Sequence, residues 1–356
     1  MKEINYIWNF KDTIFTKDKW KVFSCFACWW WSTMWYKLAW FDVIWCNEID
    51  PKMNACYVKN HNPKFNYLED IRIFKEREDL PQELYNLDIL DWSPPCSSFS
   101  MAWNREQDWG KEKKFREWQE CQVLDTLFFD FIDVAKKLQP KIVIAENVKG
   151  LMMWEAQDYM NKIILAFNEA WYKVNYKLLD ASKMWVPQRR ERIFFYAIRN
   201  DLLKNINTCD LFWELPSLDL EFNEKTITLK DIIDNDYVDS ECGMTEHKLK
   251  IWNKRQKGDL DFSCTLWRTE NRPNSMFNNN YLYLNKPITT ITSKKNDVLF
   301  DYPRHCNFKE NMNAQTFPLD YNFLWTPYRY ILWMSVPPLM TYWIANEIYK
   351  QWISKM

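Results

Sequence analysis

The scarcity of glycine constrains this chain more than any other feature of its sequence. Its 356 residues include 4 glycines and 22 tryptophans. Typical usage of about 7% would give roughly 25 glycines at this length. That figure is close to the two counts taken together, and the tryptophans fall at turn and loop positions rather than along one face. The pattern predicts tryptophan at most places where a natural parent had glycine. Such a chain must make its tight turns, and any close approach of backbone to ligand, with a bulky residue where φ is positive. A naturally tryptophan-rich protein of the sugar-binding or membrane-interface kind is the alternative.

Apolar residues make up 47% of the chain, ample for a core, and the length suits one large α/β domain plus a smaller one. The formal charge is −1, so nucleic acid could be held only through local patches. Ten cysteines without regular pairing, and no N-terminal signal peptide, fit the reducing cytoplasm. Cys25 and Cys28 make the only CxxC, and three histidines complete no ligand set, so no metal is expected. Residues 22–36 are uncharged and aromatic. Lys37 and Asp42 stop that run short of the roughly 18–20 apolar residues of a membrane span, and no membrane partner is expected.

After an N-terminal arm over 1–20, the texture alternates. Strand 21–25, helix 32–39, strand 42–47, helix 51–59 and strand 87–91 come first. Helix 117–138, strand 141–145, helix 155–170 and strands 173–180 and 192–198 follow. This order predicts an α/β fold with a mostly parallel, doubly wound sheet. Residues 203–310 are polar, Asn- and Lys-rich, with short β-like runs such as Thr226 to Leu229 and Pro287 to Thr292. They predict a second, smaller, mainly β domain. The expected division is 1–202, 203–310 and 311–356, the last ending in a helix (Leu339 to Ile353) that returns to the first domain.

The stretch from Asp91 to Ser100 puts Cys96 behind a rigid Pro94-Pro95 turn after the apolar run Leu87 to Leu90. A thiol at the carboxyl end of a strand in an open α/β sheet is a candidate nucleophile, and it needs an acid and a cation. Glu146-Asn147-Val148 ends the strand Ile142 to Ala145, and Gln188 to Arg192 precedes another strand.

Taken in order, these runs resemble the DNA cytosine-5 methyltransferases. Phe23-Ser24, Asn47 to Pro51 and Asp70-Ile71 resemble the cofactor motifs. Pro94-Pro95-Cys96 through Ser100, Glu146 to Val148 and Gln188 to Arg192 match the catalytic ones. Gln315 to Pro318 and Val336 to Pro338 look like the last two. The resemblance implies an S-adenosyl-L-methionine-dependent, Rossmann-like fold with a target-recognition domain, acting as a monomer on duplex DNA that contains a target cytosine. It also implies a prokaryotic or phage-type host and a link to restriction-modification. Cys96 would attack carbon 6 of the flipped base, Glu146 would protonate ring nitrogen 3, and Arg190 and Arg192 would hold the pyrimidine carbonyl. Phe23 would stack on adenine, Glu48 take the ribose hydroxyls and Asp70 the adenine amino group, with Ile49, Ile71 and Pro95 also lining the cofactor. The cluster Lys248, Lys250, Lys254, Arg255 and Lys257 suits phosphate contacts or a solvated helix face.

The chain departs from the family where the family has glycine. Trp29, Trp30, Trp31, Trp35 and Trp40 occupy the first cofactor loop, and Trp92 and Trp103 flank the nucleophile. Trp171 and Trp185 stand at turns and Trp333 opens the last motif, with Met334 where an asparagine is usual. A positive φ at a non-glycine residue costs about 1–3 kcal/mol. Several such sites exhaust a stability of about 5–15 kcal/mol. The expectation is a methyltransferase lineage that is unstable or inactive as written. The alternatives are an active DNA enzyme tolerant of its tryptophans, an RNA cytosine methyltransferase, or a non-catalytic DNA-binding protein.

Overall fold

A computed structural model describes residues 5–25, 31–93, 126–153, 156–206, 218–237, 239, 242–272 and 279–356, without the side chains of residues 31, 32 and 35. The chain divides into two units. The larger comprises Phe15–Leu179, Glu191–Glu221 and Thr341–Met356. Its strands are β1 (Lys21–Cys25), β2 (Asp42–Glu48), β3 (Phe65–Leu68), β4 (Ile89–Trp92), β5 (Ile142–Val148), β6 (Tyr172–Asp180) and β7 (Glu191–Arg199). They lie in the order β3-β2-β1-β4-β5-β7-β6. β1 pairs in parallel with β2 and β4, β2 with β3, and β4 with β5; β7 runs antiparallel to β5.

The connecting helices are α1 (Trp31–Leu38), α2 (Pro51–His61), α3 (Ile71–Phe74), α4 (Leu127–Leu138) and α5 (Gln157–Glu169). β1, β2, β4 and β5 are near-continuous buried runs, as parallel strands covered on both faces must be. Asp50 starts α2 by accepting from Lys52 N (2.8 Å) and Met53 N (3.3 Å), with Pro51 at the first helical position. Asn62 ends it in the left-handed conformation. The expected α/β architecture is therefore present, with β3 an unforeseen edge strand. Residues 117–125 of the long helix expected before β5 lie outside the described residues.

Two kinds of tryptophan emerge. Trp40 (φ 69°) joins α1 to β2 and Trp171 (φ 73°) joins α5 to β6, while Trp185 (φ 61°) lies in a turn of the smaller unit. All three adopt the region that favours glycine. Trp92 differs from its expected place on a loop flank. It is the last residue of β4 and fully buried, its ring stacked on Phe131 (4.4 Å) and edge-on to Phe128 (4.6 Å). Trp45 likewise stacks on Phe65 (4.8 Å) inside the core.

The smaller unit comprises Met1–Ile14, Asp180–Arg190 and Phe222–Met340. Its described elements are α6 (Leu229–Ile232), α7 (Glu246–Trp252), α8 (Phe262–Glu270), β8 (Asn280–Leu282), β9 (Asp297–Leu299), α9 (Phe308–Ala314) and α10 (Tyr328–Met334). The chain then enters α11 (Pro338–Gln351). The expectation of a mainly β domain is corrected here, because its described strands form only the parallel β8–β9 pair. Thr228 and Asp231 form a capping box that turns the first β-like run into α6. The second run makes an isolated bridge from Ile288 to Gln188 rather than a ladder. Ile251, Trp252, Phe262, Tyr281 and Val298 form its small core.

Candidate active site

β2 lies on one side of β1 and β4 on the other, so the strand order reverses between β1 and β4. The crevice beyond the carboxyl ends at such a switch is where open α/β sheets bind ligands. Register brings Cys25 beside Trp92, and Trp92 beside Ala145. Glu146 is thus one residue beyond the end of β4, on the same edge as Glu48 at the end of β2. Cys96 follows Trp92 by four positions in sequence; it and Pro95 lie outside the described residues.

Glu146 and Arg192 are brought together. Arg192 pairs with Val148 across the β5–β7 ladder, and Glu146 lies two positions back on the same face. Arg192 Nε is 2.9 Å from Glu146 Oε1, with the carboxylate 2% and the arginine side chain 14% exposed. Arg192 Nη1 also donates to Glu191 O (2.8 Å). Beside this buried pair, Lys149 meets Glu191 at 3.0 Å with the opposite polarity and greater exposure.

The expected cofactor residues divide. Glu48 is buried and its Oε1 accepts from Asp50 N at 2.7 Å. Asp70 caps α3 and accepts from Arg72 N (2.8 Å) and Nε (3.0 Å). Burial alone would raise the Asp70 carboxyl, but the Arg72 hydrogen bonds and charge hold it below the usual range. Ile49 is half-buried and Ile71 buried. Carboxylates are acceptors, the chemistry that nucleoside hydroxyl and amino donors require, and both Asp70 oxygens are engaged here by the Arg72 guanidinium. Phe23 does not fit its expected role: it sits inside β1, wholly enclosed, with its ring edge-on to Phe74 (5.3 Å). A strand-interior side chain faces the core, whereas a stacking ring belongs past the strand end.

Sequence reasoning missed Asp91. Register sets it beside Ser24, whose Oγ lies 3.5 Å from Asp91 Oδ2, and Tyr36 OH lies 3.4 Å from Oδ1. Burial, reinforced by the Asp91 charge, pushes both the Tyr36 hydroxyl and the Cys25 thiol well up. The period-two alternation of two paired strands was the available signal. Asn47, read from sequence only as the start of a cofactor motif, ties the ends of β2 and β3: its Nδ2 donates to Tyr67 O (3.3 Å) and Glu69 O (3.0 Å).

In the smaller unit, Arg190 is 1% exposed and its Nη2 donates to Trp333 O at 2.7 Å. Its guanidinium therefore satisfies a carbonyl in the last turn of α10, which the expected pyrimidine contact had not foreseen. The basic cluster is largely engaged in structure. Lys250 pairs with Glu246 and Lys254 with Glu270, Arg255 lies 3.1 Å over the Trp252 ring, and Lys248 contacts His305 Nε2 (3.3 Å). Among the described residues no three His, Cys, Asp or Glu side chains gather as a metal site. No described helix is long and apolar enough to cross a membrane.

The family description "C-5 cytosine-specific DNA methylase" matches residues 32–350. The chain belongs to this family. Membership implies S-adenosyl-L-methionine as its cofactor. Among curated relatives, this family member is 29% identical over 265 residues to the orphan methyltransferase M.SPRI of Bacillus phage SPR, covering 68% of this chain and 56% of that one. It is 33% identical over 186 residues to the type II methyltransferase M.FnuDI of Fusobacterium nucleatum, covering 52% and 48%. The chain spans about half the length of these relatives. Two solved structures share the fold. One is a putative DNA modification methyltransferase encoded within an E. coli prophage (TM-score 0.62, 18% identity, 94% of this chain and 99% of that one). The other is a mutant of Spodoptera frugiperda DNMT2 (TM-score 0.63, 17% identity, 93% and 100%).

Proposed function

We propose that this chain is built to methylate carbon 5 of cytosine in duplex DNA, acting as a monomer, and that its tryptophans severely impair turnover. The observation that carries the reading is the buried Glu146–Arg192 pair at the carboxyl edge of the sheet, immediately beyond the strand that leads to Cys96. S-adenosyl-L-methionine, when bound, supplies an electrophilic methyl group. Cytosine carbon 5 is a poor nucleophile until a thiolate adds at carbon 6, which is the role of Cys96. Glu146 holds ring nitrogen 3 and delivers the proton that lets the ring accept electrons, while Arg192 orients the carboxylate and faces the pyrimidine carbonyl. Glu48 and Asp70 hold the nucleoside half of the cofactor. The target base must leave the duplex to reach the thiol, and the smaller unit reads the surrounding sequence.

Impairment is favoured by tryptophan at positive φ in Trp40, Trp171 and Trp185. The test is methyl transfer from labelled cofactor to duplex DNA by the chain, by Cys96→Ala, and by a variant returning Trp29, Trp30, Trp31, Trp35, Trp40 and Trp185 to glycine. Transfer that rises at least tenfold in the glycine variant, and vanishes on adding Cys96→Ala, is expected. A folded glycine variant without transfer ends the reading.

A further inference from the structure

Within the smaller unit a chain of buried amides joins three separate stretches of sequence. Gln188 Nε2 donates to Gln315 Oε1 at 2.6 Å, and Gln315 Nε2 donates to Ser335 O at 2.6 Å. Gln188, Gln315 and Ser335 are each 0% exposed. The direction of the chain is fixed from one end. A backbone carbonyl can only accept, so Gln315 must turn its NH2 toward Ser335 and its oxygen toward Gln188. Gln188 must then turn its NH2 toward Gln315, which leaves Gln188 Oε1 a buried acceptor that meets no donor among the described residues.

Ser335 follows α10 directly, and Arg190 donates to Trp333 O in the same helix end. Two side chains of the run 188–190 are thus moored to one helix terminus, Gln188 through Gln315 and Arg190 directly. Gln315 caps the end of α9, where its own N–H donates to Asn311 O (3.1 Å), so its backbone cannot drift.

We infer that Gln315 is a positioning residue: its amide sets the orientation of Gln188 and fixes the run from which Arg192 enters β7. This rests on the reading given under Proposed function, where Arg192 serves the reacting base. Neither Gln315 nor Ser335 need touch substrate, cofactor or the reacting atoms. The relay passes on geometry and hydrogen-bond polarity only.

Gln315→Glu tests the relay without any ligand. A carboxylate of the same shape accepts from Gln188 but cannot donate to Ser335 O; its protonated form can do both. The variant's native state therefore binds a proton that its unfolded chain, with a glutamate pKa of about 4.3, has already lost near neutrality. A native pKa raised in this way adds stability as pH falls. The melting-temperature deficit of Gln315→Glu relative to the parent should shrink by about 3 °C or more between pH 8 and pH 5.5. Gln315→Met, which only fills space, should show a deficit that does not change with pH. A pH-independent deficit in both variants, or none in Gln315→Glu at pH 8, overturns the relay.

The positioning role is read from covalent trapping on a duplex carrying 5-azacytosine, whose carbon 6 takes up a thiolate without methyl transfer. Both Gln315 variants should trap about tenfold more slowly or worse at pH 8, with duplex affinity unchanged. The Gln315→Glu chain should recover part of that loss at pH 5.5, measured against the parent at the same pH, and Gln315→Met none. Trapping at the parental rate by both variants overturns the role and leaves the proposed function intact. Where the tryptophans leave the parent too impaired to trap, the same comparison is made in the variant returning Trp29, Trp30, Trp31, Trp35, Trp40 and Trp185 to glycine. A folded glycine variant that binds the duplex and traps nothing overturns the proposed function and the role with it, whatever the relay's pH signature.

Discussion

Arg192 Nε lies 2.9 Å from Glu146 Oε1, on the diagonal between the end of β5 and the start of β7. The geometry follows from strand direction. Because β7 runs antiparallel to β5, the residue that enters β7 and the residue that leaves β5 meet at the same edge of the sheet. Two motifs far apart in sequence become one charged pair at the place where the parallel strands also deliver Glu48 and the segment leading to Cys96. Removing β7 or reversing it would leave Glu146 at the edge without its arginine.

This pair and its exposed neighbour should respond differently to truncation. Arg192→Met leaves a nearly inaccessible carboxylate behind and should cost about 3–5 kcal/mol, most of it recovered by adding Glu146→Gln. Lys149→Met breaks the exposed pair with Glu191 and should cost about 1 kcal/mol or less. Urea unfolding of the four chains decides the matter. Equal losses for the two single variants would show that Glu146 is solvated in the native protein.

Tryptophans at positive φ should give way to glycine with profit. At Trp171, half exposed, leaving the left-handed strain gains about 1–2 kcal/mol. The extra freedom of glycine in the unfolded chain returns about 0.5–1 kcal/mol of that. Trp171→Gly should therefore stabilise by about 1 kcal/mol. Trp40→Gly should gain less, because Lys19 lies 5.1 Å over the Trp40 ring and loses that contact. Thermal unfolding checks both; a fall in melting temperature for Trp171→Gly contradicts the strain argument.

Trp92→Gly should behave in the opposite way. Its indole fills the space between Phe128 and Phe131, and emptying that space should cost about 3–5 kcal/mol, as for other buried aromatic truncations. An unchanged or higher stability would mean that the core closes over the gap. The contrast with Trp171 separates the tryptophans the fold has absorbed from those that only strain it.

The sequence revealed the larger unit well because long buried strands and amphipathic helices have strong, opposite periodicities. β3 escaped notice: Phe65-Asn66-Tyr67-Leu68 is four residues of half-polar edge strand. α7 and α8 were hidden in polar text, where charged and aromatic residues pack without a clear apolar stripe. At the site, strand ends could be read and side-chain partners could not. Arg190 meets Trp333 across 143 positions and Gln188 meets Gln315 across 127, distances over which no local pattern carries information. Phe23 lies within β1 rather than past its end, a distinction that motif matching alone does not carry; the next aromatic in sequence, Phe26, falls outside the described residues.

Acid should destabilise the chain through two of its three histidines. Burial, with Lys37 nearby, holds His61 well below its ordinary range. Burial also lowers His305, which faces Lys248 and the buried Asp297–Arg329 pair. The Asp297 carbonyl and charge oppose the shift, while the charges of Lys248 and Arg329 add to it. In the unfolded chain both rings take up protons near pH 6.5, whereas in the native state they do so only at lower pH. The unfolded state then binds more protons, so stability falls as pH drops below about 6.5. Between pH 7 and 5.5, before carboxylates contribute, stability should fall with pH, and the slope should flatten in His305→Gln. Unfolding free energies at four pH values, with the Cε1–H resonances of the native histidines followed in parallel, measure both quantities. A native His305 that titrates near 6.5, with no change of slope on substitution, would show that burial does not hold it neutral.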